Sequence, residues 1–224
     1  MKNAEPIPLV ADEPSPQNSF PRTALVLDIG ERLLILAVYG QFVVRLLHLT
    51  VQSLNIGSIL LVMSESIPLF FLVVRRFSTR VSRDPFDWSV AIIGSTIPLM
   101  IIPNATGAPL LPMPACDAII MLGLCIQIAA KVSLGRSFGI VAANRGVEST
   151  GPYRFVRHPM YLGYTMTHVG FLLLMPSVLN TILYGLAFCL QIVRLLREER
   201  VLIRDPLYQS FSQGVRYRLI PGVF

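Results

Sequence analysis

Residues 114–134 read PACDAIIMLGLCIQIAAKVSL. At ~1.5 Å of rise per residue, a helix over this stretch reaches across the ~30 Å hydrocarbon core of a bilayer. It is not alone. Apolar runs of similar reach lie at about 24–50, 53–74, 88–102, 159–175 and 178–196. The run at 24–50 is the least clean, being interrupted by Asp28, Glu31, Arg32 and Arg45. The last run is expected to continue as a helix into water. Pro103, Pro112, Pro114 and Pro176 fall at the turns between runs, where a missing N–H costs least. The reading is an all-α, polytopic integral membrane protein with about six transmembrane helices in three hairpins and a cytoplasmic C-terminal site.

Bulk composition agrees. Of 224 residues, 53% are hydrophobic and only 14% charged, and the mean hydropathy is +0.62. A soluble domain carries about a quarter charged residues. The formal charge of +6 does not indicate a nucleic-acid partner, because the basic residues punctuate apolar runs instead of building a separate basic face. Cys116, Cys125 and Cys189 sit in apolar runs without metal or redox spacing, so they read as small packing residues and no metal is expected.

Lys and Arg set the orientation. One set of loops holds Arg75, Arg76, Arg80 and Arg83, then Lys131, Arg136, Arg145, Arg154 and Arg157; the segment after the sixth run adds Arg200, Arg204, Arg216 and Arg218. The alternate loops, 51–52, 103–113 and 176–180, contain none. Both termini are therefore expected in the cytoplasm, as in a multi-pass protein of a bacterial inner membrane. Residues 1–22, with five prolines and scattered charge, read as a disordered cytoplasmic tail without the pattern of a signal peptide. Residues 23–133 carry the first four helices. Residues 134–224 carry the last two and both sizeable cytoplasmic segments, where any chemistry belongs.

The first of these segments, 134–163, is rich in glycine and ends Arg157-His158-Pro159-Met160-Tyr161. Proline at the first helical position is pre-organised for a helix start, whose free N–H groups, with Arg157 and His158 beside them, suit an anion such as a carboxylate. The plain alternative is an ordinary loop-to-helix junction with interfacial Arg and Tyr anchors. In the second segment Arg194 and Glu198 lie four apart on one helix face, in the weaker order for a stabilising pair. Arg194 follows an unbroken apolar run, so it is either functional at the membrane boundary or snorkels to the headgroups. Glu65 and His168, ionisable and near mid-membrane, are expected to touch or to share a polar cavity, unless Glu65 simply bonds to nearby serine or backbone.

The pattern Gly151-Pro-Tyr-x-x-x-Arg157-His-Pro-x-Tyr161-x-Gly163, then Arg194-x-x-x-Glu198-Glu199, then Tyr217-Arg-Leu-Ile-Pro-Gly222 resembles the isoprenylcysteine carboxyl methyltransferase family, which is related to phospholipid N-methyltransferases. The resemblance spans about 134–224. It implies a membrane enzyme using S-adenosyl-L-methionine on a lipophilic small-molecule or lipidated substrate. It also implies that Arg145, Gly146, Val147, Glu148, Tyr153, Arg157, His158, Pro159, Met160, Tyr161, Glu198 and Glu199 surround the cofactor. By the same resemblance Arg194 serves the substrate, and Arg194 and Glu198 are the catalytic candidates. Arg145 stands where eukaryotic members tend to have His, and the loop before the Glu-Glu pair is short; both departures bear on the methyl acceptor. Two rival classes are a small transporter or assembly factor, which would line helix interiors with polar groups at mid-membrane, and a sterol-type membrane reductase using NADPH.

Overall fold

The computed structural model describes residues 22–52, 56–75, 82, 84–100, 108–139, 141 and 143–224. Seven α-helices follow one another, and no strand occurs among the described residues: α1 (Arg22–Gln52), α2 (Ile56–Val74), α3 (Pro85–Thr96), α4 (Met113–Leu134), α5 (Pro159–Leu174), α6 (Val178–Leu202) and α7 (Pro206–Gly214). Two helical segments, Met113–Ser137 and Val178–Leu202, are long and apolar enough to cross a membrane, and Ile59–Val74 is a shorter apolar helix.

Local chemistry explains the boundaries. Asp84 caps α3 by accepting from Phe86 N–H, Ser177 caps α6 from Asn180 N–H, and Asp205 caps α7 from Leu207 N–H. Proline occupies the first turn of α3, α4, α5 and α7, where no N–H is needed. The third apolar run, expected at 88–102, starts earlier, at Pro85, and tightens into a 3₁₀ turn at Ile97–Met100. The turn expected at 51–52 is still helical. The N-terminal tail to residue 21, Arg76, Arg80, Arg83 and Pro103 lie outside the described residues.

Helices α4 and α5 pack closely enough to need glycine. A Cβ on Gly123 would sit 2.5 Å from Thr167 Oγ1 and 2.9 Å from Gly163 O; one on Gly163 would sit 2.8 Å from both Gln127 N and Gly123 O. Small residues that let backbones approach are how helices associate in lipid, where no hydrophobic force separates helix from tail.

Two buried polar clusters join the helices. In the first, Asp28 and Glu31 of α1 meet arginines from distant parts of the chain. Arg75 Nη2 lies 2.8 Å from Asp28 Oδ1 and 2.8 Å from Glu31 Oε2, and Arg145 Nη2 lies 2.7 Å from Glu31 Oε2. Arg32 Nε pairs with Asp28 at 2.8 Å, and the same guanidinium caps the carbonyls of Leu72, Val73 and Arg75 at the end of α2. Of the charges that made the first apolar run look unclean, Asp28, Glu31 and Arg32 are thus partnered, and the Arg45 side chain lies outside the described residues.

In the second cluster, Lys131 of α4 donates to Ser64 O at 2.7 Å, to Ser64 Oγ at 2.8 Å and to Glu65 Oε1 at 3.2 Å. Gln127 Nε2 continues the network to Thr167 Oγ1 at 2.8 Å. Glu65 therefore pairs with Lys131, while the His168 ring stacks on Tyr184 with centroids 4.7 Å apart. Arg75 and Lys131, read from the sequence as loop cations, are instead buried at 3% and 0% exposure, because each finds a carboxylate on another helix.

Candidate active site

Helix α5 begins at Pro159, and its first intrahelical bond runs from Leu162 N–H to His158 O. The N–H groups of Met160 and Tyr161 precede that bond and have no carbonyl one turn back. The approach to this helix start is held from the other side by the C-terminal segment. Arg157 N–H donates to Tyr217 O at 2.9 Å and His158 N–H to Arg218 O at 2.8 Å. Residues 157–158 are thereby fixed by main-chain bonds, independent of their side chains.

Glu198 and Glu199 are adjacent on α6 and do different things. Glu199 is 9% exposed and ringed by donors: Arg157 Nη1 at 2.7 Å, Tyr208 O–H at 3.3 Å, His158 Nε2 at 3.4 Å, and Arg218 Nε. It ties the start of α5, α7 and the C-terminal segment to α6. Glu198 points elsewhere, accepting from Tyr161 O–H at 2.9 Å.

Around Glu198 lies a narrow cleft of about 60 Å³. Arg145, Gly146, Val147 and Glu148 line it from the loop after α4, and Tyr153, Arg157 and His158 from the approach to α5. Met160, Tyr161 and Glu198 complete the set that the sequence pattern singled out. Pro159 and Glu199 are not among its lining residues; Pro159 is buried in the first turn of α5, and Glu199 occupies the clamp just described. Arg145 contributes to the wall, but its guanidinium is turned to Asp28 and Glu31. Gly139 makes that possible: a Cβ there would sit 2.1 Å from Arg145 Nη1. Gly146, at φ 107°, takes the backbone through a conformation that disfavours other residues. Burial, with the carboxylates of Glu198 and Glu148 nearby, pushes the Tyr153 phenol up, so it stays neutral.

Behind the cleft is a second and much larger space, a cavity of about 480 Å³ between α1, α2, α3, α4, α5 and α6. Its lining is mostly apolar and aromatic, including Phe42, Leu61, Phe138 and Phe171. Glu65 and His168 both line it without direct contact, but the space is mostly apolar and not the polar cavity expected of them, and Glu65 accepts from neighbouring Ser64 Oγ at 3.2 Å, as the alternative had it. Arg194 lines it too. Its Nη1 donates to Ser95 Oγ at 3.2 Å, its guanidinium carbon lies 5.4 Å from the Tyr161 ring centroid, and its Nε is buried with no partner among the described residues. Met160 and Tyr161 line both spaces. The Tyr161 hydroxyl meets Glu198 on the cleft side, and its ring meets Arg194 on the cavity side.

Several contributors escaped the sequence reading. Tyr208 and Phe211 of α7 line the cleft; their i, i+3 spacing on a short amphipathic helix is the signal that was available. Ser95 beside Arg194 had no signal at all.

With this geometry in place, the comparison with known families is informative. Residues 115–208 match the family model described as phospholipid methyltransferase. This is the family of isoprenylcysteine and phospholipid methyltransferases, so the match and the motif resemblance agree on the class, a membrane methyltransferase. The matched segment opens inside α4 and closes in α7, so it includes both helices long enough to span a bilayer and nearly all of the cleft. No curated protein matches the chain.

Proposed function

We propose that the protein is a multi-pass membrane methyltransferase that uses S-adenosylmethionine in the Glu198 cleft and a lipophilic acceptor in the Arg194 cavity. The observation that carries this reading is the shared wall: Met160 and Tyr161 border a polar cleft on one side and a large apolar cavity on the other. A reaction between a charged, water-soluble donor and a greasy acceptor needs two such compartments meeting at one point.

The donor set suits the cofactor. The N–H groups at the start of α5 match a carboxylate, and Glu198 matches an ammonium or sulfonium. The Gly146 turn lets backbone come close. When bound, the cofactor supplies an electrophilic methyl group on a sulfonium. The protein's own part is positioning and exclusion of water, which carry most of the catalysis of an in-line displacement. Arg194 orients an electron-rich group of the acceptor at the shared wall. An acceptor that is already anionic needs no general base, and His158 Nε2, the first candidate for one, faces Glu199.

The deep Ser64–Glu65–Gln127–Lys131 network is what a transporter would show. Here its lysine is fully enclosed and bonded to its neighbours, which favours a structural tie between α2 and α4. Binding of labelled S-adenosylmethionine against labelled NADPH to the purified protein separates the three classes. We expect saturable binding of the first only; NADPH binding, or neither, overturns the proposal.

The acceptor would enter sideways between helices, with both cytoplasmic segments covering the cleft from below. That arrangement rests on six spans with cytoplasmic termini. Reporter fusions after Gln52 and after Ser177 should both read as external, and a cytoplasmic signal at either site sinks the topology.

A further inference from the structure

One wall of the large cavity is a stack of three rings from α5 and α6. The His168 ring lies between Tyr164, at 6.3 Å and 24°, and Tyr184, at 4.7 Å and 28°. Tyr164 is further fixed by Lys131 Nζ, 4.9 Å from its ring centroid. Because His168 and Tyr184 cover one another's faces and Lys131 lies over the Tyr164 ring, it is the ring edges that remain for other contacts, and the edges carry the two phenol hydroxyls and the imidazole nitrogens. All three residues line the cavity, and among the described residues no side-chain hydrogen bond is made by Tyr164, His168 or Tyr184. Polar groups facing an apolar space in a membrane protein are costly unless something there satisfies them. A plain hydrocarbon chain cannot.

The position of this ladder relative to the reacting end is fixed by the helices. From Tyr161 to His168 is seven residues of α5, and from Arg194 to Tyr184 is ten of α6, so His168 and Tyr184 lie ~10–15 Å beyond the shared wall, with Tyr164 only ~5 Å from it.

Resting on the function proposed above, we propose that the acceptor is a two-station amphiphile. Its reacting head sits at Arg194, and a second hydrogen-bonding oxygen, a hydroxyl or carbonyl about 10–15 Å along its body, is read by His168 and Tyr184, with Tyr164 backing the His168 ring. The ladder is then a specificity device. It selects an oxygenated lipophile over an unsubstituted chain of equal length, because the wrong chain leaves the polar edges of His168 and Tyr184 dry.

Three fatty acids serve as probes, their carboxylate standing in for the head: stearate, 2-hydroxystearate and 12-hydroxystearate. Affinity is measured on the detergent-purified full-length protein by native mass spectrometry. The 12-hydroxy acid should bind roughly fivefold or more tightly than either other acid, the yield of one or two neutral hydrogen bonds. In the His168→Phe/Tyr184→Phe double variant that advantage should vanish while stearate affinity stays, which also shows the cavity intact. If the three acids bind alike, or if the preference survives in the double variant, the ladder does not read the acceptor. If the variant loses stearate as well, Tyr184→Phe alone is used, and an undiminished preference there overturns the proposal. Cofactor binding is measured separately. A protein that binds S-adenosylmethionine but ignores the deep hydroxyl refutes only the ladder, whereas one that prefers the hydroxyl but binds no cofactor refutes only the reaction.

Discussion

Arg145→Ala should lower the melting temperature of the detergent-solubilised protein by about 3–12 °C. The expectation follows from where the guanidinium lies. Asp28 and Glu31 are 0% and 1% exposed and face three guanidinia: Arg32 and Arg75 at Asp28, and Arg75 and Arg145 at Glu31. Removing Arg145 leaves Arg32 and Arg75 to balance the two carboxylates but takes a charged hydrogen bond from buried Glu31, at a cost of about 1.5–3 kcal/mol. For a chain of this size each kcal/mol moves the midpoint by roughly 2–4 °C. Arg145→Lys should recover only part of the loss, because the guanidinium meets Glu31 and Asp28 through Nη2 while Nη1 donates to Val141 O, and a point charge does not replace that planar arrangement. Cofactor affinity should fall only as far as the loop loosens. Should Arg145→Ala melt like the parent yet fail to bind S-adenosylmethionine, the residue belongs to the cofactor, and its ion pairs are incidental.

That prediction marks the boundary of what the sequence could say. The motif resemblance grouped Arg145 with Gly146, Val147 and Glu148, and the four do line one cleft. What the arginine side chain does there was not legible, since its partners lie more than a hundred residues earlier, on α1. The same holds for Lys131. By hydropathy it closes an apolar run and reads as a loop cation; in the fold it reaches Glu65 on α2. Periodicity and punctuation are local signals, and they located the helix starts at Pro159 and after Pro176 well. Pairing between charges on different helices depends on which faces meet, and one sequence does not carry that. The doublet Glu198-Glu199 shows the limit at its finest. Neighbours on a helix point about 100° apart, so one carboxylate enters the cleft while the other is taken by Arg157, His158 and Arg218. A motif names both without saying which does which.

Glu198 and Arg194 lie four residues apart on α6, yet on the function proposed here their substitutions should fail in different ways. Glu198 faces the cleft, where it accepts from Tyr161. Glu198→Ala removes a charged acceptor from the cofactor's surroundings, worth about 1.5–3 kcal/mol, so S-adenosylmethionine affinity should drop roughly tenfold to a hundredfold. Arg194 faces the cavity, with Ser95 as its hydrogen-bonded neighbour and Nε left without a partner among the described residues. Arg194→Ala should leave cofactor affinity nearly unchanged while kcat/KM for the lipophilic acceptor falls about a hundredfold or more, the scale of losing the group that orients a reactant. Arg194→Lys should rescue poorly, since the planar guanidinium both stacks near the Tyr161 ring and offers two donors toward one oxygen-bearing group. Calorimetric cofactor binding beside methylation kinetics with a varied acceptor reads both effects. Equal loss of cofactor affinity in the two alanine variants would place Arg194 in the cofactor's site and remove the compartment boundary that Tyr161 is taken to mark.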